Sequence, residues 1–402
     1  MENPVYERMA SELARLKAGG NLRALPVAES RPRHVVLDGR ELLNLSSNDY
    51  LGLAADLSLR EAFFATLSPE TFLPTASSSR LLTGNSSACI QLEETLRRLY
   101  GAEAALVFGS GYHANTGILP AIAGRDAEIF ADKLVHASLV DGIRLAQARH
   151  ARFRHNDLAD LRRLLGESSE RNPNVARIVV TESLFSMDGD AADLRALVAL
   201  KREFPNVLLY VDEAHAVGVR GSTGLGLAEE TGTLADIDFL VGTFGKALAS
   251  TGAFAVMRGL AREWLVNTMR TLIFTTALPP VNLQWTNFVL ERLASFADRR
   301  KRLAIYGDAI AAAVRARGVD CPSVSHIVPW IIGSSADAIA CAQRLRTSGF
   351  YVLPVRPPTV PEGTSRIRFS LTAALEPAEV DALSAAIREL GLFPLGLERV
   401  FC

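Results

Sequence analysis

The sequence has no excess of either charge. Its 402 residues carry 43 Lys and Arg against 44 Asp and Glu, a net charge of -1. Nucleic-acid binders and anionic membrane surfaces rely on a general electrostatic attraction that this balance does not provide, so neither is expected as a partner and any anion site must be local. Cysteine is scarce. Cys89, Cys321, Cys341 and Cys402 are scattered, with no Cys-x-x-Cys and no metal-type pairing, so no metal is expected and a reduced cytoplasm is the simplest setting. An uncharged apolar run of about 18 residues, long enough to span a bilayer, is missing. The opening Met1-Glu-Asn-Pro-Val-Tyr-Glu-Arg8 lacks the apolar core of a signal peptide, which argues against export. Internal repeats and low-complexity tracts are also absent.

What is present is the composition of a soluble globular protein, 49% hydrophobic and 22% charged, in a chain long enough for two or three cooperating units. Residues 4–18 place Val5, Met9, Leu13 and Leu16 at helical spacing before Gly19-Gly20, predicting a leading helix. A hairpin follows, with strands near 34–37 and 41–45 joined at Asp38-Gly39. From about 88 to 257, apolar runs at 104–108, 127–130, 177–181, 207–211, 239–241 and 252–256 alternate with helical patterns. That alternation predicts an α/β fold with a large, mostly parallel sheet covered by helices on both faces. Residues 258–316 read as helical around a hinge at Leu278-Pro-Pro280. Strands near 326–332, 351–354 and 365–371, with helices near 335–347 and 376–390, suggest a smaller α+β terminal domain. The expected divisions are therefore 1–50, an N-terminal helix and hairpin; 51–280, the large domain; and 281–402, the small one.

Candidate site residues fall at the ends of the apolar runs, where ligands sit in such sheets. Leu208-Leu-Tyr-Val-Asp-Glu-Ala-His215 begins as a buried strand and exits through Asp212 and His215. Taken singly, these are as readily a cap and a satisfied histidine as parts of a site. The next run exits into Gly242-Thr-Phe-Gly-Lys246, where small residues let the Thr243 hydroxyl and the Lys246 amine approach a ligand. A lysine there commonly snorkels to solvent. In combination with Asp212 the other reading gains, because an imine-forming amine needs the lowered pKa that desolvation gives. Phe108-Gly-Ser-Gly-Tyr-His-Ala-Asn115 follows a strand and opens a helix, so its amides would either face an anion such as phosphate or form a plain turn. It lacks the third glycine of the dinucleotide fingerprint, which disfavours a nicotinamide cofactor. His136 follows a further strand in Asp132-Lys-Leu-Val-His-Ala-Ser138, and Ser186 another in Thr181-Glu-Ser-Leu-Phe-Ser-Met-Asp-Gly-Asp190. Five strand exits carrying suitable polar groups are hard to explain as caps alone.

In this order, Asn44-Leu-Ser-Ser-Asn-Asp-Tyr-Leu-Gly-Leu53, His136-Ala-Ser138, His155-Asn-Asp157, Phe185-Ser-Met-Asp-Gly189, Val211-Asp-Glu-Ala-His215 and Thr243-Phe-Gly-Lys246 resemble the α-oxoamine synthases. These are fold-type I pyridoxal 5'-phosphate (PLP) transferases that condense an amino acid with an acyl thioester and release carbon dioxide. The resemblance runs from about residue 23 to 390. It implies that Lys246 holds PLP as a Schiff base and moves the proton at the substrate α-carbon. Asp212 would keep the ring nitrogen protonated, making the ring an electron sink. His136 would stack on the ring and contact substrate, His215 and Ser186 would reach the phenolic oxygen, and Gly111, Tyr112 and Thr243 would hold the cofactor, Thr243 through its phosphate. Thr275, in Ile273-Phe-Thr-Thr-Ala-Leu-Pro279, matches a hydroxyl sent to the partner subunit's phosphate, which implies a homodimer with shared active sites. Val355-Arg-Pro-Pro-Thr-Val-Pro-Glu-Gly-Thr-Ser-Arg-Ile-Arg-Phe369 resembles the branch that joins L-alanine to a pimeloyl thioester in biotin synthesis. There Arg368 would pair with the amino acid carboxylate, and Arg23, Asn48 and Thr359 would contact substrate. A glycine C-acetyltransferase, or another enzyme of the family joining an acyl-CoA to an amino acid, is the alternative. Two segments depart from the pattern: Ala76 and Ser78 stand where relatives carry glycines, and Ala247-Leu-Ala-Ser-Thr-Gly252 is less glycine-rich after the lysine than in many relatives.

Overall fold

The computed structural model describes residues 3–390; Cys402 lies outside them. By its contacts the chain forms two compact units, one of residues 49–186 and 190–301, the other of residues up to 48, 187–189 and from 302 onward.

The larger unit is built on a seven-stranded sheet: β1 (Ala104–Phe108), β2 (Ala127–Asp132), β3 (Arg149–Phe153), β4 (Ala176–Glu182), β5 (Val207–Asp212), β6 (Phe239–Thr243) and β7 (Ala253–Met257). Their spatial order is β1-β7-β6-β5-β4-β2-β3. Strand β7 runs antiparallel to both neighbours, while every other pairing is parallel. The central strands bury Ile129, Ile178, Val180 and Tyr210, as expected of strands covered on both faces. The apolar runs foretold every strand except β3. That one is the exposed edge of the sheet, its Arg-His-Ala-Arg-Phe open to solvent over most of its length, whereas the other edge, β1, is buried throughout, so β3 needs no apolar run.

Two helices on this sheet position the site. Gly111–Ala123 packs against Ala137–Ala146. A Cβ at Gly142 would come 2.4 Å from the Asn115 carbonyl oxygen, so glycine there lets the second helix approach the first closely. The helix Pro280–Leu290 buries Leu283, Phe288, Val289 and Leu290 and packs on Ser87–Tyr100. For that reason residues 281–301 go with the larger unit, and the division falls inside the helix Ala297–Arg315 rather than at the prolines.

In the smaller unit, His34–Leu37 and Arg40–Asn44 form the expected hairpin, with positive φ at Asp38 and Gly39. Phe350–Tyr351 adds to it in parallel. A second sheet pairs Ile327–Gly333, Ser365–Ser370 and Pro354–Val355 in antiparallel fashion, accompanied by the helices Ser335–Thr347 and Pro377–Glu389. The leading helix Pro4–Ala18 buries none of its residues. Among the described residues no helix is long and apolar enough to cross a membrane.

Candidate active site

Three parallel strands of the larger unit end on an acid: β2 on Asp132, β4 on Glu182 and β5 on Asp212. Strand β6 ends on Thr243. Parallel strands finish on one edge, so these side chains gather there. Gly111, Tyr112, His136, Asp212, His215, Thr243 and Lys246 line one cavity of about 180 Å3, together with Asn115, Ser138, Glu182 and Ala214.

Lys246 sits in the loop between β6 and β7, with its Nζ 2.8 Å from His215 Nε2. The other ring nitrogen of His215 lies 2.7 Å from the hydroxyl of the buried Tyr50. When Nε2 accepts from the amine, the Nδ1 proton goes to Tyr50 Oη, so the two contacts together define one tautomer. Asp212 is 6% exposed. Its Oδ2 accepts from Asn115 Nδ2 at 2.8 Å and its Oδ1 from the Ala214 amide at 2.9 Å.

His136 precedes the helix Ala137–Ala146, and its Nδ1 accepts from the Ser138 amide at 3.2 Å. Ser138 Oγ lies 2.7 Å from the same nitrogen and itself accepts from Asn115 Nδ2 at 2.9 Å, while Tyr210 donates to Asn115 Oδ1 at 2.7 Å. A continuous chain thus runs from Tyr210 through Asn115 and Ser138 to the imidazole and leaves the His136 proton on Nε2. Asn115, Ser138, Tyr50 and Glu182 were not singled out from sequence. Each stood inside a quoted motif, yet only the packing of distant segments shows what it touches.

The electrostatics separate the two neighbouring acids. Glu182 pairs in register with Asp212 across β4 and β5. Burial, and then the nearby Asp212, push the Glu182 carboxyl up to about 8, with Lys246 pulling the other way. Two carboxyl groups this close do not both ionise readily, so at neutral pH the raised Glu182 carboxyl keeps its proton. Burial also holds the His136 imidazole below its ordinary value, opposed by Asp212 and helped by Lys246. The ring is therefore neutral, and a stacked neighbour meets no second cation.

Other residues singled out lie elsewhere. Ser186 is buried on the loop after β4 and is not among the residues lining this cavity. Thr275 lines a small separate cavity with Arg80 and Thr271. In the smaller unit, Arg23, Thr359 and Arg368 line a cavity of about 260 Å3 with Arg356 and Ser46; Asn48 is not among its lining residues. Arg23 donates to Thr359 Oγ1 at 2.9 Å and Arg368 to Ser370 Oγ at 2.6 Å. Burial, and then Arg23, hold the Arg356 guanidinium below its usual value. No acidic side chain lines this cavity, so its three guanidinium groups suit an anionic ligand.

The donor set of the larger unit's cavity fits PLP. Lys246 offers an amine for the aldehyde, and Asp212, held by two N–H donors, offers a fixed carboxyl group for the ring nitrogen. The amino end of Gly111–Ala123, capped by Ser110, offers N–H groups for a phosphate.

Comparison with known proteins agrees with this geometry. The family model for aminotransferase class I and II matches residues 40–387. The 8-amino-7-oxononanoate synthase of Chlorobaculum parvum is 49% identical over 96% of this chain and 99% of its own length. That of Haemophilus ducreyi is 49% identical over 94% of this chain and 99% of its own. Among solved structures, a serine palmitoyltransferase from S. paucimobilis with a bound PLP–myriocin aldimine superposes with a TM-score of 0.87. It is 30% identical, over 96% of this chain and 98% of that one. An 8-amino-7-oxononanoate synthase from Francisella tularensis gives a TM-score of 0.73 at 27% identity, over 87% and 97%. With its motifs in order, its fold and its near-full-length relatives in agreement, the chain belongs to the α-oxoamine synthases, fold-type I PLP-dependent acyltransferases, and within them is most like the 8-amino-7-oxononanoate synthases.

Proposed function

We propose that this enzyme joins L-alanine to a pimeloyl thioester, forming 8-amino-7-oxononanoate, carbon dioxide and the free thiol, as a step of biotin biosynthesis. The observation that carries the reading is near-full-length identity of about half to synthases of that name, with an amine, a fixed carboxylate and a neutral imidazole around one cavity. In the balance, a bond forms between the alanine α-carbon and the acyl carbonyl carbon, the thiol leaves, and the bond to the alanine carboxyl breaks. Bound PLP supplies the electrophile that captures the amino group and the ring that accepts the electron pair at the α-carbon.

The protein's own groups do the rest. Lys246 would tether the cofactor, and its amine would take the α-proton and later return it. His215, oriented by Tyr50, receives the lysine amine at Nε2 and keeps it in place. Asp212 would hold a proton on the cofactor's ring nitrogen, and His136, kept neutral by burial, would pack on the ring without competing for that charge. Ser186 and Thr243 are assigned to the cofactor's phenolic oxygen and phosphate, and Gly111 and Tyr112 to its cradle. Arg368 is assigned to the alanine carboxylate, and Arg23, Asn48 and Thr359 to substrate. The cavity with three guanidinium groups and no acid, which Arg23, Thr359 and Arg368 line, supports the assignment of those three. A cytoplasmic homodimer belongs to the reading, with Thr275 serving the partner's phosphate. The exposed Leu81, Leu82 and Phe274, on segments joined to each other by the Ser79–Thr276 bridge, support a covered face there.

The test is carbon dioxide release with alanine, glycine and serine, each against pimeloyl and acetyl thioesters, with the amino ketone identified by mass. Alanine with the pimeloyl donor should be preferred. Preference for glycine with the acetyl donor would replace this reading by an acetyltransferase.

A further inference from the structure

The segment His155-Asn-Asp157 has no part in the chemistry above, and neither His155 nor Asn156 lines the Lys246 cavity. Both nonetheless touch two carboxylates that end on loops carrying site residues. His155 Nδ1 lies 2.9 Å from Asp132 Oδ1 and its Nε2 lies 2.8 Å from Asp190 Oδ2. Each partner is a carboxylate, so both ring nitrogens donate and the ring is an imidazolium. Asn156 repeats the bridge: its backbone amide donates to Asp132 Oδ2 at 2.8 Å and its side-chain amide to Asp190 Oδ2 at 2.7 Å. It does so from a left-handed backbone, φ +52, a conformation asparagine tolerates better than most residues.

The two carboxylates stand at or beyond the ends of two neighbouring strands, β2 and β4. Asp132 ends β2, is fully buried, and accepts from the Leu134 amide at 2.8 Å. It thereby shapes the turn that leads to His136. Asp190 stands at the base of the loop that carries Ser186, where the Phe185 amide donates to its carbonyl at 3.0 Å. The Phe185 ring meets the His155 ring edge-on, centroids 4.4 Å apart at 90°.

We propose that His155 and Asn156 form a cationic clasp that ties the His136 turn to the Ser186 loop, making them positioning residues for the cofactor's ring. Burial opposes charge on His155, but its bonds to Asp132 and Asp190 outweigh that and raise it to about 10. The clasp therefore stays closed across the working pH range. The alternative, a bridge that serves only folding, predicts lost stability with an unaltered site.

The inference rests on the cofactor site proposed above, so the experiment separates the two. Wild-type protein loaded with PLP is first checked for its Schiff-base absorbance; absence of that band counts against the site itself. His155→Phe keeps the ring against Phe185 and removes both ion pairs, and Asn156→Gly keeps the backbone conformation and removes the side-chain bond. PLP dissociation, the pH midpoint of the Schiff-base band, and kcat with KM for alanine are then measured on fully loaded protein. The expectation is weaker PLP retention, a displaced midpoint and, for His155→Phe, a kcat lower by about 10- to 100-fold, as for a reacting group misplaced by up to an ångström. Asn156→Gly should move the same readouts less. If both variants retain PLP and titrate as wild type does, the clasp is structural only, even where they melt at lower temperature. Should His155→Phe fail to fold, Asn156→Gly decides by the same readouts.

Discussion

Asn115 offers the sharpest test of how the site is held. The residue is 1% exposed and joins three buried groups: it donates to Asp212 and to Ser138, and accepts from Tyr210. Asn115→Leu keeps the branched side chain with the same number of heavy atoms, is the bulkier residue and leaves no room for water, so all three partners lose a hydrogen bond at once. A buried group that loses a hydrogen-bond partner costs about 1–3 kcal/mol. Even at about 1 kcal/mol each, the loss is about 3 kcal/mol. For a cooperative unit of this size, a loss of that order lowers the melting temperature by roughly 6–12 °C. Differential scanning of the cofactor-free protein measures this directly. The same substitution frees the His136 ring from its hydrogen-bonded chain and removes one of the two donors to Asp212. Retention of PLP should therefore weaken beyond what melting alone explains. A variant melting within about 2 °C of wild type, less than about 1 kcal/mol by the same scale, would show that the three bonds do not hold these groups and would refute the reasoning.

Two further outcomes follow from the same geometry. Lys246→Ala should abolish the Schiff-base absorbance and turnover together; retained turnover would remove Lys246 from its assigned role. Glu182 and His155 both titrate above their ordinary values. A group whose folded pKa is raised contributes stability that is fully present below its unfolded value and is lost as pH rises through the folded one. Stability of the cofactor-free protein should therefore fall from about pH 4.5 to 8 on account of Glu182, and from about pH 6.5 to 10 on account of His155. Glu182→Gln should flatten only the first part in a pH series of melting curves, and an unchanged slope there would contradict the assignment of the proton to Glu182.

The residues most legible in the sequence were those whose local pattern and spatial role coincide. A strand covered on both faces must be an apolar run, so most of the sheet could be read directly, and a polar group just after such a run must stand at the sheet's edge. Lys246 and Asp212 were found in that way. Strand β3 was not, because an edge strand may alternate polar residues without penalty. Asn115 and Ser138 look like ordinary residues at two helix starts. Their partnership depends on how closely those helices approach, a distance set in part by the bare Cα of Gly142. Tyr50 meets a partner 165 residues away, and no local pattern encodes that. The boundary between units was misplaced at a proline pair for a related reason: prolines mark where a helix starts, whereas the burial of Leu283 and Phe288 decides which unit it joins.

The antiparallel strand of the seven-stranded sheet bears on how Lys246 is carried. Had β6 been followed by another parallel strand, its exit loop would have led into a crossover helix and been anchored at one end. Instead Thr243 pairs with Ala253, the Phe244 amide donates to the Gly252 carbonyl at 3.0 Å, and the Ser250 amide donates to the Phe244 carbonyl at 2.9 Å. Lys246 thus rides on a short arch with both feet in the sheet. Any movement of its amine is then a matter of side-chain rotation above a loop tied at both ends. A residue inserted in the arch would lift the lysine away from His215 Nε2, which its Nζ meets at 2.8 Å.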